Sequence, residues 1–328
     1  MKSLSKLLFL LLPAVMFAQN VRVDSQTYTP QQLVEDILIN STCINNVVVT
    51  NVVGGNFNSN DTSYGYFEAN GSSFPFQSGI VLSTGRISNS EGPNTSLSDD
   101  DAPGWIGDSD LETILNEPNT INATILEFDF TSQASQISFR YLFASEEYQE
   151  NDSNTCQYSD LFGFLIRPAS QTQYTNIALV PDTQTPVKVT TVHSGIPGGC
   201  DPINEFYFEG WNGPSAPINF NGQTKVLTAT ANINPNETYH VKLVIADEQN
   251  YRYDSAVYLE AGSFQLSTDL GPNLLTSTGN ALCENETVLL DASQPNASTF
   301  KWFRDGTELT TEINPTLNVD VAGTYNVE

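Results

Sequence analysis

Apolar and polar residues alternate over many short segments of the chain, which is the pattern of β-strands with one face in a core. Residues 139–143 place aromatic side chains at every second position, and residues 239–245 repeat the pattern with tyrosine, valine, leucine and isoleucine. Turn-rich segments separate such runs. Strands are predicted at residues 47–53, 80–83, 126–130, 137–143, 161–166, 176–180, 187–192, 225–231, 239–246 and 255–266.

Two short helices interrupt this pattern. Thr29 is a predicted N-cap before Pro30, and the next apolar residues fall on one helix face. Residues 109–116 form the second, because Ser109 and Glu112 have the spacing of a capping box. Many strands, two short helices and no βαβ rhythm predict an all-β chain: a jelly-roll-like antiparallel β-sandwich.

The composition changes near residues 269–272, where we expect a domain boundary. Beyond it, Cys283, Trp302 and the segment 320–325, with Tyr325 at its end, resemble an immunoglobulin-like domain. Val327 stands where the second cysteine is usual. The chain stops before the last strand that such a fold needs, so we expect the domain to be incomplete at its C-terminus. The predicted organisation is therefore a signal peptide at 1–18, a sandwich domain at 19–268 and a partial immunoglobulin-like domain at 272–328.

Export is predicted by the N-terminus and fits the charge. Lys2 and Lys6 precede an apolar run at residues 7–17, which is the pattern of a secretory signal peptide and is too short for a membrane anchor. No second apolar run is long enough to span a bilayer. The net charge of −26 repels nucleic acid and anionic lipid and attracts cations.

Four cysteines in an exported chain are disulfide candidates rather than zinc ligands, and no CxxC spacing occurs. Four cysteines allow three pairings. We favour Cys156 with Cys200, since both lie in polar loops of the first domain, which leaves Cys43 and Cys283 without assigned partners.

Several ordered motifs of residues 26–266 recur together in one family. They are FASEEY at 143–148, DLFGF at 160–164, NIALVP at 176–181, IAD at 245–247 and DSAVYLEAGSF at 254–264. On these motifs the first domain resembles the choice-of-anchor L domain of secreted bacterial proteins. Ser159 stands where the family often has asparagine.

The resemblance implies export and attachment to the cell surface, commonly through a type IX secretion system. Sorting signals and immunoglobulin-like or PKD-like modules often follow such a domain, so attachment here would use a C-terminal region that this sequence does not include. The family has no settled biochemical activity. It therefore indicates a location, with an extracellular glycan or protein surface as the expected partner.

Five carboxylates flank strands whose other residues are apolar: Glu146, Glu147, Asp160, Asp247 and Asp254. Carboxylates brought together in a fold repel each other unless a cation or hydrogen bonds compensate. Calcium is the hard cation available outside a cell, and it takes about 6–8 oxygen ligands. At least three of the five, with Asp254 and Glu146 first, are predicted to bind calcium; the alternative is that they cap turns and face solvent.

Two other activities have some support in the sequence. Glu146 and Asp247 are a possible acid and base for a secreted carbohydrate-active enzyme. Trp211 and Tyr207, in an Asn- and Gly-rich aromatic segment, are a possible lectin site or, alternatively, cover a sheet edge. A serine, cysteine or zinc hydrolase is disfavoured, since His193 is expected on the surface, His240 faces outward in its strand and no HExxH occurs. We expect a secreted, surface-displayed, non-enzymatic adhesion or recognition module stabilised by calcium.

Overall fold

A computed structural model describes residues 19–39, 44–267, 270–271, 273–276, 279–283, 286–293 and 299–327. The predicted signal peptide and Cys43 lie outside these residues. Helix α1 (Pro30–Gln32) continues as a π-helical segment (Leu33–Ile39), and α2 (Ser109–Leu115) is the second helix. Four short 3₁₀ turns occupy Ile87–Ser90, Ser153–Cys156, Val189–Thr191 and Glu205–Tyr207.

Fourteen strands of the described residues build the large domain. They are β1 (Arg22–Asp24), β2 (Ile44–Val53), β3 (Tyr64–Glu68), β4 (Ser78–Ser83), β5 (Thr120–Ser132), β6 (Gln136–Ser145), β7 (Leu161–Pro168), β8 (Thr175–Asn176), β9 (Phe208–Trp211), β10 (Gly222–Thr224), β11 (Leu227–Asn232), β12 (Thr238–Glu248), β13 (Ser255–Glu260) and β14 (Gln265–Ser267). One sheet has the order β1-β3-β4-β13-β6-β10-β9, and β11 and β14 also pair with β6. The other has the order β2-β5-β12-β7-β8, and neighbouring strands are antiparallel throughout.

The two sheets pack face to face through aromatic side chains. Phe139 and Tyr141 of β6 contact Phe164 of β7, with ring centroids 5.3 Å and 5.1 Å apart. Tyr141 also lies 5.6 Å from Phe162, and all four rings are fully buried. Such interlocked rings contribute about 0.5–1.5 kcal/mol per pair beyond their buried area. The predicted all-β antiparallel sandwich with two short helices is confirmed.

The central strands are buried on their outer faces as well. Phe67, Phe74 and Tyr258 cover the outside of the first sheet, and α2 places Leu111 on the outside of the second. Burial on both faces explains why β7, β12 and β13 contain nearly continuous apolar runs.

Local details differ from the sequence prediction at four places. The predicted strand at 176–180 is a strand only at its start, as β8 (Thr175–Asn176), and Leu179 forms an isolated bridge with Pro186. The predicted strand at 187–192 is instead a 3₁₀ turn at Val189–Thr191, with Val189 and Val192 buried as anchors. The predicted strand at 255–266 breaks at Ala261–Gly262, where Gly262 has a φ of +65° that glycine adopts freely. The N-cap of α2 is Asp108 rather than Ser109, because the Asp108 carboxylate accepts the Leu111 N–H at 2.8 Å.

Residues 270–327 contain two small sheets in their described parts. Strands β15 (Val288–Asp291) and β18 (Thr316–Val319) form one, and β17 (Thr307–Glu308), β16 (Trp302–Arg304) and β19 (Tyr325–Val327) form the other. Trp302 is fully buried between them with Leu317 and Val319. The immunoglobulin-like identity and the domain boundary stay predictions.

Candidate functional site

Six central strands begin or end at one end of the sandwich, which we call the acidic end. In the first sheet, Ser145 at the end of β6 pairs with Ser255 at the start of β13, and their Oγ atoms are 2.9 Å apart. Thr84, directly after β4, accepts the Ser255 N–H at 2.9 Å. In the second sheet, Asp247 of β12 pairs with Ile121 of β5. The antiparallel order therefore brings the polar ends of both sheets together.

All five predicted carboxylates lie at the acidic end. Glu146 and Glu147 follow β6, Asp160 precedes β7, Asp247 is the second-last residue of β12, and Asp254 precedes β13. Each is at most 6% exposed. They are therefore part of the interior, not solvent-facing turn caps.

Hydrogen bonds from the surrounding loops and strands hold three of these side chains. Asp254 Oδ1 accepts the Asp100 N–H at 3.0 Å, and Glu146 Oε1 accepts the Ser98 N–H at 3.2 Å. Asp247 Oδ2 accepts a hydrogen bond from Asn122 Nδ2 at 3.0 Å. The second oxygen of Asp254 lies directly over Gly85, where a Cβ atom would come within 1.9 Å of it. A glycine after β4 therefore makes room for this carboxylate.

One oxygen of every one of the five carboxylates is buried with no hydrogen-bond partner in the described part of the chain. These atoms are Glu146 Oε2, Glu147 Oε2, Asp160 Oδ2, Asp247 Oδ1 and Asp254 Oδ2. Buried polar atoms are satisfied in the large majority of cases, and a group left unsatisfied costs about 1–3 kcal/mol, more if charged. Either protons or a cation at the acidic end would satisfy these five atoms.

Burial raises the pKa of every member of the cluster. For Glu146 burial raises the pKa to about 8. For Asp247 and Asp254 burial raises the pKa well above its usual value, and the charges of neighbouring carboxylates, Asp160 among them, raise it further. Burial and the nearby charge of Glu248 also raise the pKa of Glu147 and Asp160. The cluster thus binds either protons or a cation near neutral pH.

The carboxylates form an extended array instead of a ready-made cage. Among the residues that the structure describes, no three His, Cys, Asp or Glu side chains are arranged to hold one metal ion. A single cation would therefore be held by two carboxylates, with neutral oxygens such as those of Thr84 and Ser255 completing the set. Asp254 interacts electrostatically with three other members of the cluster, Glu146, Asp160 and Asp247.

The polar loop before α2, which contains Ser98 and Asp100, covers the acidic end. Asp254 N–H donates to Ser98 O at 3.0 Å, and Asp100 also pairs with Arg86 at 3.1 Å. Sequence reasoning missed Ser98, Asp100 and Asn122, which touch the cluster. Their only sequence signal is the acidic run at 99–101, which gives no hint of its partner 150 residues later.

A family comparison agrees with the fold and motifs. The family model of the choice-of-anchor L domain matches residues 22–265, which is most of the chain. The chain belongs to the choice-of-anchor L family. No curated protein and no solved structure matches it. Membership of this family points to a secreted, surface-associated protein, and within the described residues no helix has the length and apolarity to cross a bilayer.

A disulfide closes one loop of the choice-of-anchor L domain near the acidic end. Cys156 and Cys200, the predicted pair, are joined with their Cα atoms 6.0 Å apart. Cys283 is exposed and forms no disulfide within the described residues.

The two aromatic residues proposed for a lectin site have different surroundings in the choice-of-anchor L domain. Trp211 ends the edge strand β9 and packs edge-to-face on Phe208 at 5.0 Å. Tyr207 is half-buried against the main core, while its neighbour Phe206 is 74% exposed. Only Trp211 borders a groove at the acidic end.

Neither histidine forms a catalytic arrangement with a serine or cysteine nucleophile in the described residues. His193, expected on the surface, is only 1% exposed, and its Nδ1 accepts the Gly195 N–H at 3.0 Å. His240 faces outward from β12, as predicted, between Glu127 and Asp129 of β5 at 2.9 Å and 2.6 Å. Lys242 beside it pairs with Asp108 at 2.8 Å, so this outer face is a network of ion pairs.

Proposed function

We propose that the chain is a secreted, surface-displayed recognition module, not an enzyme, and that a calcium ion organises its acidic end. The supporting observation is the set of five buried carboxylates, each with one oxygen that lacks a partner in the described residues. A net charge of −26 adds to the attraction for cations.

Calcium fits the donor chemistry because every nearby ligand atom is oxygen. Asp254 with Glu146 or Asp160 would supply the charged ligands, and the hydroxyl oxygens of Thr84 and Ser255 the neutral ones. Such an ion would link β4, β6 and β13 of the first sheet to β7 of the second. It would therefore act on stability and on the loops above, with no catalytic step.

Thermal melting of the full chain in EDTA and then in excess calcium tests the ion. A ligand at 100 times its dissociation constant stabilises a protein by about 2.7 kcal/mol, which is roughly 5–10 °C for a domain of this size. Magnesium at the same concentration is the control, since it demands stricter octahedral geometry. An unchanged melting temperature in calcium removes the proposed ion.

Burial supports a non-enzymatic role over the carbohydrate-active alternative. Glu146 and Asp247, the possible acid and base, are both 0% exposed, whereas a glycosidase needs its two carboxyl groups on either side of an open cleft. Incubation with polysaccharides and measurement of released reducing ends is the direct assay. Release that is lost in Glu146→Gln would overturn the non-enzymatic proposal.

Display at the cell surface would use the region after the large domain. Buried Trp302 and the hydrogen bond from Tyr325 Oη to Val321 O at 2.9 Å support an immunoglobulin-like module there. Export by a type IX or related route would be compatible with such display. Protease shaving of intact cells should remove the domain, and resistance to shaving would contradict surface display.

A further inference from the structure

Two adjoining grooves lie at the acidic end, and the mechanism of cation binding does not use them. One, of ≈ 420 Å³, lies between Trp211, Asn212 and Tyr253. The other, of ≈ 200 Å³, lies between Tyr158, Asn154 and Tyr253. Gln149 and Tyr253 border both, so the two grooves adjoin along these residues.

Aromatic rings line these grooves, and neighbouring side chains hold one of them, Trp211, in place. Trp211 is half-buried and is held edge-to-face by Phe208 at 5.0 Å and by Tyr148 at 6.2 Å. Tyr148 is itself fixed, because its hydroxyl donates to Val192 O at 2.8 Å. Tyr158 is 46% exposed at the other end. Rigid, amphipathic rings of this kind offer apolar faces to a ligand at low entropic cost.

Side-chain amides beside the rings have unused hydrogen-bonding groups. The amides of Gln149 and Asn154 form no hydrogen bond within the described residues. Asn212 and Asn221 donate through Nδ2 to Phe220 O and Glu146 O, both at 2.9 Å, which leaves their Oδ1 atoms available. An amide offers a donor and an acceptor side by side, which matches neighbouring hydroxyl groups of a sugar.

Charge narrows the ligand class. Glu147 and Glu150 border the grooves, and the net charge of −26 repels anions. Arg252 is the cation that borders the grooves in the described residues, and its Nε lies 3.6 Å from Asp99, which partly neutralises it. Polyanions such as nucleic acid or uronic acid polymers are therefore poor ligands.

We infer that these adjoining grooves bind a neutral oligosaccharide, stacked on Trp211 and hydrogen-bonded by Gln149 and the neighbouring asparagines. The inference rests on the proposed recognition function and names its ligand. The groove is built on the cation cluster, because Asn221 holds the backbone of Glu146 and Glu147 borders the smaller groove. Calcium would therefore strengthen sugar binding without contacting the sugar.

A glycan array of neutral and anionic oligosaccharides, probed with the calcium-saturated full chain, identifies the ligand, and titration calorimetry then measures it. Trp211→Ala and Gln149→Ala should each weaken binding of a neutral oligosaccharide at least tenfold. Phe206→Ala is the matched control, since Phe206 is more exposed than Trp211 but lies outside the groove. The control should change the affinity less than twofold.

Three results overturn the inference: no neutral glycan binds the folded protein, anionic glycans bind instead, or both groove variants keep their affinity. Melting curves in calcium show that each variant is folded, and Gln149→Ala, a surface change, keeps the test valid if Trp211→Ala unfolds. A melting temperature that rises in calcium, without any binding of sugar, would refute the oligosaccharide ligand and leave the proposed ion standing. Binding of sugar by a protein whose melting temperature does not change in calcium would refute the proposed ion and leave the oligosaccharide ligand standing.

Discussion

At the scale of single residues, the acidic end is characterised by buried carboxylate oxygens that have no hydrogen-bond partner among the described residues. One oxygen of Asp254 accepts the Asp100 N–H, and the other packs against Gly85 with no hydrogen-bond partner among the described residues. An ionised carboxylate in such surroundings is destabilising unless a cation is present. We therefore expect Asp254 to destabilise the calcium-free protein and, under the proposed function, to be a ligand of the calcium ion.

Asp254→Asn separates these two roles. The amide oxygen can still accept the Asp100 N–H, and the charge is gone, so in EDTA the melting temperature should stay equal or rise. In excess calcium the stabilisation of roughly 5–10 °C expected for the unchanged protein should be lost. Asp201→Asn is the control, because Asp201 is exposed and is not one of the five buried carboxylates. A full calcium shift in Asp254→Asn would rule out Asp254 as a ligand.

Gly85→Ala tests the same carboxylate from the opposite side. The added Cβ would lie 1.9 Å from Asp254 Oδ2, so the carboxylate must move. Crowding of a packed site costs about 1–3 kcal/mol, which urea unfolding measures. Gly213→Ala is the matched control, because a Cβ there meets nothing within 4 Å. Equal stability of the two variants would mean that the carboxylate is not confined.

At the scale of elements, the outer face of β12 contains a second titrating group. His240 Nε2 and Nδ1 lie 2.9 Å and 2.6 Å from carboxylate oxygens of Glu127 and Asp129. Hydrogen bonding to Glu127 raises the pKa of His240, burial opposes the rise, and Asp129 adds to it. Burial alone would raise the pKa of Glu127, but hydrogen bonds from His240 and Asn51 and the charge of Lys242 lower it to about 2.

A raised histidine pKa stabilises the fold below the unfolded pKa of about 6.5, and this stability is lost as pH rises through the folded pKa. Above pH 6.5, His240 should therefore make the free energy of unfolding fall by at most about 1.4 kcal/mol per pH unit. We expect His240→Gln to remove this fall. Urea unfolding from pH 5.5 to 9 in saturating calcium measures it in both proteins. Parallel curves would show that the ion pairs of His240 contribute nothing.

Elements were predictable from sequence where the signal is local. Thr29 caps α1 as expected, because its hydroxyl accepts the Gln32 N–H three residues on. The turn at Val189–Thr191 was wrongly predicted as a strand, since β-branched residues indicate burial but a strand also needs a neighbour. The five carboxylates were found because each lies beside a strand. Their covering loop at Ser98 was not, because contacts with β13 depend on long-range pairing.

At the scale of the whole molecule, the cluster should make the calcium-free protein more stable in acid. Burial raises the pKa of Glu146 to about 8, and of Asp247 and Asp254 in the same direction. The native state then binds more protons than the unfolded one, so stability is greatest below the unfolded pKa of about 4 and falls as pH rises toward 8.

Melting temperatures in EDTA at pH 5, 6, 7 and 8 should therefore decrease steadily, and calcium should raise them most at pH 8. The difference between the EDTA and calcium curves isolates the carboxylates, because the contribution of His240 is present in both. A difference that is constant across this range would contradict the coupling of protons and cation.

Strand β14 lies at the end of the sandwich opposite the acidic end. Strand β6 runs from Gln136 to Ser145 at the acidic end, and β14 pairs only with Gln136–Ser138. At about 3.4 Å per residue, the polypeptide leaves the large domain roughly 30 Å from the grooves. A tether that follows residue 267 therefore starts at the opposite pole. If the proposed surface display uses the region after residue 267, we expect the grooves to face away from the point of attachment.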